Sequence, residues 1–308
     1  MKNRQLQCIE TLKNKNGKFF LTCSGEKVGE ISWWTDSVPE GIKHEKLGVF
    51  GKFHCIDEEG ARILFDAAYQ KMRKIGVEKV IGPMDQSTWN SYRFLVQMER
   101  PMPFFMEPYQ PMEYGVWLKR AGWKESQVYH SLSASLKDFK QPQEQRMELY
   151  NKEGILIQNA SGFTDKEMLK IIYEISLQCF VKNLYYVPVD YSVFLARYEP
   201  LLSYFRKEYI YIAWAKERPV GFLIAFPDYK QGNTIEQIKT IILKTFGVIP
   251  EFHQKGIATL CMNLAAWQAR KDGMEEAVMA LVYEKNHTMH MMPHGKICST
   301  YMLYEREV

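Results

Sequence analysis

The sequence has no apolar run near the roughly 20 residues that a membrane-crossing helix needs. Its opening residues, Met-Lys-Asn-Arg-Gln-Leu-Gln, lead into no apolar segment of signal-peptide length. The six cysteines form no Cys-x-x-Cys pair, and their irregular spacing is not that of a disulfide framework or a zinc ribbon. Thiols of this kind are typical of a reducing compartment. We therefore expect a cytoplasmic protein that does not act on a membrane.

A strong excess of either charge is also missing. The 40 Lys and Arg residues nearly balance the 36 Asp and Glu residues, which leaves a net charge of +4. This mild and scattered charge gives no support for a nucleic-acid partner. Low-complexity tracts are absent too, and the 308 residues suit two domains of about 150 residues each.

The most informative segment runs from Phe246 to Thr259, with the sequence FGVIPEFHQKGIAT. It reads as an apolar strand, a Pro break and a turn containing Gly256 that opens a helix. Such a turn points several backbone N–H groups at one place, and the helix dipole adds positive potential there. Because Gly256 has no Cβ, an anion can come close to the backbone, with His253 and Lys255 at the rim. The segment therefore predicts a pyrophosphate site.

At these residues the chain resembles the GNAT acyltransferase superfamily. The family motif is a strand ending in apolar-x-Val-x-Pro, followed by Arg/Gln-x-x-Gly-x-Gly/Ala. Val248, Pro250, Gly256 and Ala258 fit this motif, whereas His253 stands at the usual Arg or Gln position and a Gln follows one place later. The resemblance implies acetyl-CoA or another acyl-CoA as co-substrate, no metal, and a coenzyme A site formed by Phe246, Gly247, Val248, His253, Gln254, Lys255, Gly256, Ile257, Ala258, Thr259 and Asn286.

The second half of the chain, residues 150–308, carries the family's order of elements most fully. A Thr164-Asp-Lys-Glu167 capping box opens one helix. Apolar periodicity predicts strands over 154–158, 209–216, 219–227, 238–249, 276–283 and 299–304, with helices over 165–180, 191–205 and 258–271.

The first half, residues 1–140, repeats this order. Strands are predicted over 18–23, 27–34, 47–55, 80–83 and 128–136, with helices over 61–74 and 112–120. Where the phosphate turn would lie, however, stand Asp57, Glu58 and Glu59, which would repel a pyrophosphate. We therefore predict an α/β (α+β) fold of two tandem GNAT-like domains, each a mixed, mostly antiparallel sheet flanked by helices, with a degenerate first domain. The aromatic segment 82–120 covers an acceptor cleft or packs at the boundary between the domains.

Acyl transfer to an amine needs a polarised carbonyl, a deprotonated amine and an acid for the leaving thiolate. The strand end at residues 246–248 can offer backbone N–H groups to the carbonyl. The resemblance implies a coenzyme contact for Asn286 and a thiolate acid seven residues later, where this chain has Pro293. Tyr301 and Tyr304 are the candidate replacement acids, although both are also typical strand aromatics. For the general base, the residues leave Glu284, Asp228 and Glu251 open.

Three histidines, His287, His290 and His294, are spaced so that a helix would align them on one face. Three imidazoles on one face suit zinc or nickel. Pro293 would strain such a helix, and no Cys or carboxylate within the segment completes the ligand set. Partly exposed histidines beside packed methionines are therefore the favoured interpretation.

Together these features predict an acyl-CoA-dependent N-acyltransferase (EC 2.3.1), most simply an N-acetyltransferase. Its acceptor would be an amine of a small molecule or a peptide, and an oligomer is compatible with the sequence. Two alternatives stay open. One is a non-catalytic acyl-CoA-binding or interaction protein, which Pro293 and His253 favour. The other is a Fem-type aminoacyl transferase, which also pairs two GNAT-like domains but lacks a good coenzyme A turn.

Overall fold

A computed structural model describes residues 4–10 and 15–308. The helices within these residues are α1 Glu58–Lys74, α2 Glu113–Arg120, α3 Glu144–Lys152, α4 Asp165–Cys179, α5 Tyr191–Tyr198 and α6 Ile257–Lys271. The strands are β1 Arg4–Glu10, β2 Asn16–Cys23, β3 Glu26–Trp34, β4 Leu47–Cys55, β5 Lys79–Gly82, β6 Phe94–Met98, β7 Lys124–Ser135, β8 Ile155–Asn159, β9 Tyr211–Ala215, β10 Arg218–Pro227, β11 Thr240–Val248, β12 Glu276–Tyr283 and β13 Lys296–Glu307. None of these helices is long and apolar enough to cross a membrane.

The strands form one continuous sheet in the order β1-β2-β3-β4-β5-β13-β7-β12-β11-β10-β9-β8, and β6 pairs with β13 at the side. The pairs β4–β5 and β11–β12 are parallel, and the other pairs are antiparallel. This confirms the predicted mixed, mostly antiparallel sheet flanked by helices. Each half contributes one parallel pair, as expected for a tandem arrangement.

The two halves exchange strands at the centre of the sheet. β7 belongs to the first half of the chain but pairs with β12 of the second half. β13 ends the second half but pairs with β5 of the first half as well as with β7. Neither half therefore completes its sheet alone. The division between residues 140 and 150 stays a prediction, and α3 begins within this interval.

Local signals explain where most helices begin and end. Asp57 caps α1 by accepting a hydrogen bond from the Gly60 N–H (2.8 Å). The Thr164–Glu167 capping box opens α4 as predicted. The helix predicted over 191–205 is instead α5 followed by a 3₁₀ turn over Glu199–Tyr204. Pro200 lacks an N–H group and cannot continue the α-helical hydrogen bonding.

The aromatic segment 82–112 of the first half lies against the second half. The Trp89 indole N–H donates to the Val187 carbonyl (2.7 Å), and its ring packs on Phe194. A buried cluster that includes Tyr129 and Tyr301 joins the cores of the two halves. This packing places first-half side chains beside β11 and β12, where the candidate site lies.

Candidate functional site

The site begins where two parallel strands part. β11 and β12 pair from Thr240 opposite Glu276 to Leu243 opposite Met279, and not beyond. Past that point β11 stays on β10, whereas β12 stays on β7. We call the opening between them the fork. An extended ligand can lie in such a gap and hydrogen-bond to the backbone on either side.

The turn after β11 has the backbone shape that the sequence predicts. A 3₁₀ turn over Pro250–Phe252 leads to Gln254 and Gly256, which both have positive φ (62° and 76°). Glycine adopts this left-handed conformation without steric cost. The turn is held in place by two hydrogen bonds. Tyr150 Oη donates to the Lys255 carbonyl (2.5 Å), and His253 Nε2 donates to the Val248 carbonyl (2.8 Å).

Backbone N–H groups are available at this turn. Gly256 is the N-cap of α6 and offers no side chain to cap it. The N–H groups of Gln254 and of residues 256–259 have no hydrogen-bond acceptor among the residues that the structure describes. These donors, together with the dipole of a 15-residue helix, form the kind of cradle that binds phosphate.

At the corresponding turn of the first half, the Asp57 side chain occupies the place where an anion would bind. The Asp57 carboxylate accepts from the Gly60 N–H and receives both Nη atoms of Arg4, at 2.9 and 2.7 Å. Glu59 also lies 3.3 Å from Arg4. A carboxylate therefore already occupies the anion position at the start of α1. The degenerate character of the first half stays a prediction, and this occupied turn is in line with it.

A chain of buried hydrogen bonds lies at the base of the fork. The Leu281 N–H donates to Ser131 Oγ (3.1 Å), and Ser131 Oγ lies 2.9 Å from the Tyr301 hydroxyl. Tyr301 donates to Glu107 Oε1, while Glu107 Oε2 accepts from the Phe104 N–H (3.0 Å). Glu107 thus links the first half of the chain to β13 and β12 of the second half.

Burial shifts the pKa values of Glu107 and Tyr301, and also that of Lys244 on β11. It raises the pKa of Glu107, which the Tyr301 hydrogen bond opposes. Burial and the Glu107 charge raise the pKa of Tyr301. For Lys244, burial and then the Arg93 charge lower the pKa to about 8, against the opposing effect of Glu107. Sequence reasoning missed Glu107, whose only signal is a lone carboxylate after Phe-Phe-Met and before Pro.

The predicted coenzyme residues of β11 and the turn lie together at the end of the fork. Phe246 and Val248 are half-buried. A Cβ on Gly247 would lie 3.0 Å from Cys179 of α4, so this glycine makes room for a helix side chain. Asn286 is exposed after β12, and its Oδ1 accepts from the Thr288 N–H (3.0 Å).

The two predicted acids lie apart. Tyr301 belongs to the hydrogen-bond chain of the fork. Tyr304 is buried in the core of the first half, opposite Gly82 of β5. The structure therefore does not bring Tyr304 to the fork.

The three candidate bases lie outside the hydrogen-bond chain. Asp228 is buried and accepts from the Phe105 N–H (2.8 Å), beside Arg100 at 3.6 Å. Glu251 and Glu284 are exposed, and Glu251 pairs with Arg218 at 3.5 Å.

The three histidines do not share a helical face. His287 and His290 lie on one 3₁₀ turn, whereas His294 follows Pro293 with a positive φ of 51°. No cluster of three metal-ligating side chains occurs within residues 4–10 and 15–308.

Comparisons with known proteins agree with this geometry. Residues 169–292, which contain the fork strands and the turn, match the Acetyltransferase (GNAT) family. No curated protein sequence matches the chain.

Solved structures match almost the whole chain at low identity. The glucosamine N-acetyltransferase region of a fungal multi-domain β-N-acetylglucosaminidase matches with a TM-score of 0.57 and 14% identity; the match covers 99% of this chain and 38% of that one. A probable N-acyltransferase from Enterococcus faecalis V583 gives 0.54 and 9%, with 100% and 73% covered. A tandem GNAT protein from the clavulanic acid biosynthesis pathway gives 0.52 and 11%, with 99% and 83% covered. At these identities the likeness shows the fold.

Proposed function

We propose that the chain is a member of the GNAT superfamily and that it transfers an acyl group, most simply acetyl, from coenzyme A to an amine. The observation that carries this proposal is the uncapped turn at Gly256, set at the end of a parted strand pair within residues 169–292. The fungal and Enterococcus proteins of this fold are described as an N-acetyltransferase region and a probable N-acyltransferase. The acceptor would be an amine of a small molecule or a peptide.

Different residues along the fork would bind different parts of the acyl-CoA. The N–H groups of Gln254 and of residues 256–259 would hold the pyrophosphate, with Lys255 adding charge at the rim. Backbone groups of residues 246–248 would bind the pantetheine chain and polarise the thioester carbonyl. Asn286 would contact the coenzyme from the end of β12. His253 would act on the turn rather than on the phosphate, since its ring already donates to Val248.

Between the two candidate acids the geometry favours Tyr301. Its hydroxyl stands two hydrogen bonds from the Leu281 N–H on the β12 side of the fork. Glu107 accepts a hydrogen bond from the Tyr301 hydroxyl and orients this group. When the thioester C–S bond breaks, Tyr301 would pass its hydroxyl proton to the thiolate and would then recover the proton that the attacking amine loses as the amide forms.

A non-catalytic acyl-CoA-binding protein is the second candidate, because Pro293 replaces the family's usual acid. Release of free thiol from acetyl-CoA, measured across a panel of amines, tests the difference. A catalyst releases thiol only when an accepted amine is present, and Tyr301→Phe slows this release. Binding of acetyl-CoA without amine-dependent release in any member of the panel would favour the second candidate.

We also propose a cytoplasmic location. It is supported by the free thiols at Cys23, Cys55, Cys179, Cys261 and Cys298. Release of the folded protein by cytoplasmic extraction, without detergent, tests this location.

A further inference from the structure

A buried arginine, Arg93, lies at the fork and forms no ion pair with a carboxylate of residues 4–10 and 15–308. Only 5% of Arg93 is exposed, and its guanidinium lies 3.7 Å from the Tyr92 ring and 4.0 Å from the Tyr129 ring. Nη1 donates to the Leu281 carbonyl (3.1 Å), while the buried Nε has no partner among the described residues. The ring faces stabilise the cation only in part. A buried charge without a counter-ion is costly, which indicates that an anion belongs there.

A second cationic residue, Lys244, stands in a β-bulge on the facing strand of the fork. On β10, Ile224 and Ala225 pair with Thr245 and Leu243 of β11, so Lys244 is the extra residue of the bulge. It is the first residue of β11 beyond the last pair with β12. Bulges of this kind redirect a side chain and are frequent next to active sites.

β12 carries a matching irregularity on the other side of the fork. Met279 pairs with Leu132 and Val282 with His130, so two residues of β12 stand opposite Ser131. One of them, Leu281, has a φ of 62°, which is strained for a branched residue. It is the Leu281 carbonyl that receives Arg93. Both strands of the fork therefore depart from regular pairing close to the carbonyl that Arg93 contacts.

The charges at this point do not balance. Among the residues that the structure describes, Glu107 is the one carboxylate whose charge acts on Lys244, and the Arg93 charge contributes to the lowered pKa of Lys244. Both oxygens of Glu107 are already used, one by Tyr301 and one by the Phe104 N–H. Neither cation forms an ion pair with a carboxylate within the described part of the chain. An added anion would relieve their mutual repulsion.

We propose that Arg93 and Lys244 form an anion subsite in the fork, which binds a carboxylate of the acceptor amine. This inference rests on the proposed function and narrows its substrate class to amines that carry a carboxylate, such as free amino acids. The carboxylate would accept hydrogen bonds from the guanidinium and the ammonium group. The amine of the same molecule would then face the thioester carbonyl across the fork.

Matched acceptor pairs test the proposal. Each pair consists of an amino acid and the same amine without its carboxylate: L-phenylalanine and phenethylamine, L-tyrosine and tyramine, L-histidine and histamine, and L-lysine and cadaverine. Acetyl transfer is followed for both members of each pair. We expect kcat/KM to be about 10- to 100-fold higher for at least one amino acid than for its partner, as charge-assisted hydrogen bonds imply. No preference in any pair would overturn the proposal.

Substitutions at Arg93 and Lys244 test whether these two residues cause the preference for the amino acid. Arg93→Gln and Lys244→Gln should each remove most of the preference by lowering kcat/KM for the amino acid alone, and Arg93→Lys should restore part of it. Arg120→Gln, which alters an exposed arginine of α2, is the control and should change neither member. An equal loss for both members of a pair would mean that Arg93 and Lys244 only support the fold. A charge preference that follows the acyl group, with succinyl-CoA favoured over acetyl-CoA, would also overturn the assignment to the acceptor.

Acetyl-CoA binding to the wild-type protein, measured by calorimetry, separates this inference from the proposed function. If acetyl-CoA binds but the carboxylate of the acceptor does not change kcat/KM, the anion subsite is refuted and the proposed function stands. If acetyl-CoA does not bind, the proposed function fails. The subsite is then tested by thermal shift. The same amino acids should raise the melting temperature of the wild type but not that of Arg93→Gln or Lys244→Gln.

Discussion

The amine of Lys244 should lose its proton at a much lower pH than the amine of an ordinary lysine does. Burial and the Arg93 charge lower the pKa of Lys244 to about 8, from a reference value of 10.5. At pH 8 about half of the Lys244 amines would be neutral, compared with roughly 0.3% for an unperturbed lysine. Lys244 should therefore react with an acylating reagent on the order of 100-fold faster than its accessibility alone would allow.

Trace labelling with acetic anhydride across the alkaline pH range measures this difference. Mass spectrometry of the labelled peptides gives the rate at each lysine, and the inflection of the Lys244 profile gives its pKa. Exposed lysines of the same chain are the internal reference. We expect an inflection near pH 8 for Lys244.

Charge variants test the direction in which each neighbouring charge shifts the pKa of Lys244. Arg93→Gln removes a like charge and should move the Lys244 inflection to higher pH. Glu107→Gln removes the opposing negative charge and should move it to lower pH. An inflection near pH 10.5 in the wild type, or one that Arg93→Gln leaves unmoved, would refute the charge arrangement at the fork.

Three further predictions concern packing, capping and the hydrogen-bond chain. Gly247→Ala should lower the free energy of unfolding by about 1–3 kcal/mol through its contact with Cys179, and Cys179→Ala in the same chain should restore part of it, since the Sγ contact is lost while the Cβ contact remains, as urea unfolding would show. Asp57→Ala should cost about 1–2 kcal/mol through loss of the α1 cap, yet leave acetyl-CoA binding unchanged in calorimetry. Tyr301→Phe should raise the pKa of Glu107 further, because the hydroxyl that stabilises its charged form is lost; infrared titration of the carboxyl group would measure this. An unchanged stability in the first two variants, or an unchanged Glu107 titration in the third, would contradict the corresponding contact.

Local signals were enough to predict most elements. Alternation and helical periodicity placed strands such as β4 and helices such as α1 within a few residues of their observed bounds. The capping box at Thr164 and the turn at Gly256 were readable because each depends on neighbouring residues alone. The helix predicted over 191–205 ends at Tyr198, because Pro200 lacks the N–H group that a continuing α-helix needs.

Long-range pairing could not be predicted in the same way. The pattern of β7 indicates a strand but does not say that its neighbours are β12 and β13. Because of this exchange, Glu107 and Arg93 of the first half reach the fork of the second half. Their role depends on contacts across more than 180 residues, which no local pattern encodes.

The central claim is that the turn at Gly256 binds the pyrophosphate of an acyl-CoA. Calorimetry with acetyl-CoA should compare the wild type, Gly256→Glu and Gly273→Glu. Gly273 lies just beyond the other end of α6, also has a positive φ (86°) and has open space around it, so this control carries the same backbone strain and the same added charge. The account predicts a dissociation constant on the order of micromolar for the wild type and the control, and loss of binding in Gly256→Glu. Equal binding by all three proteins, or no binding by the wild type, would contradict it.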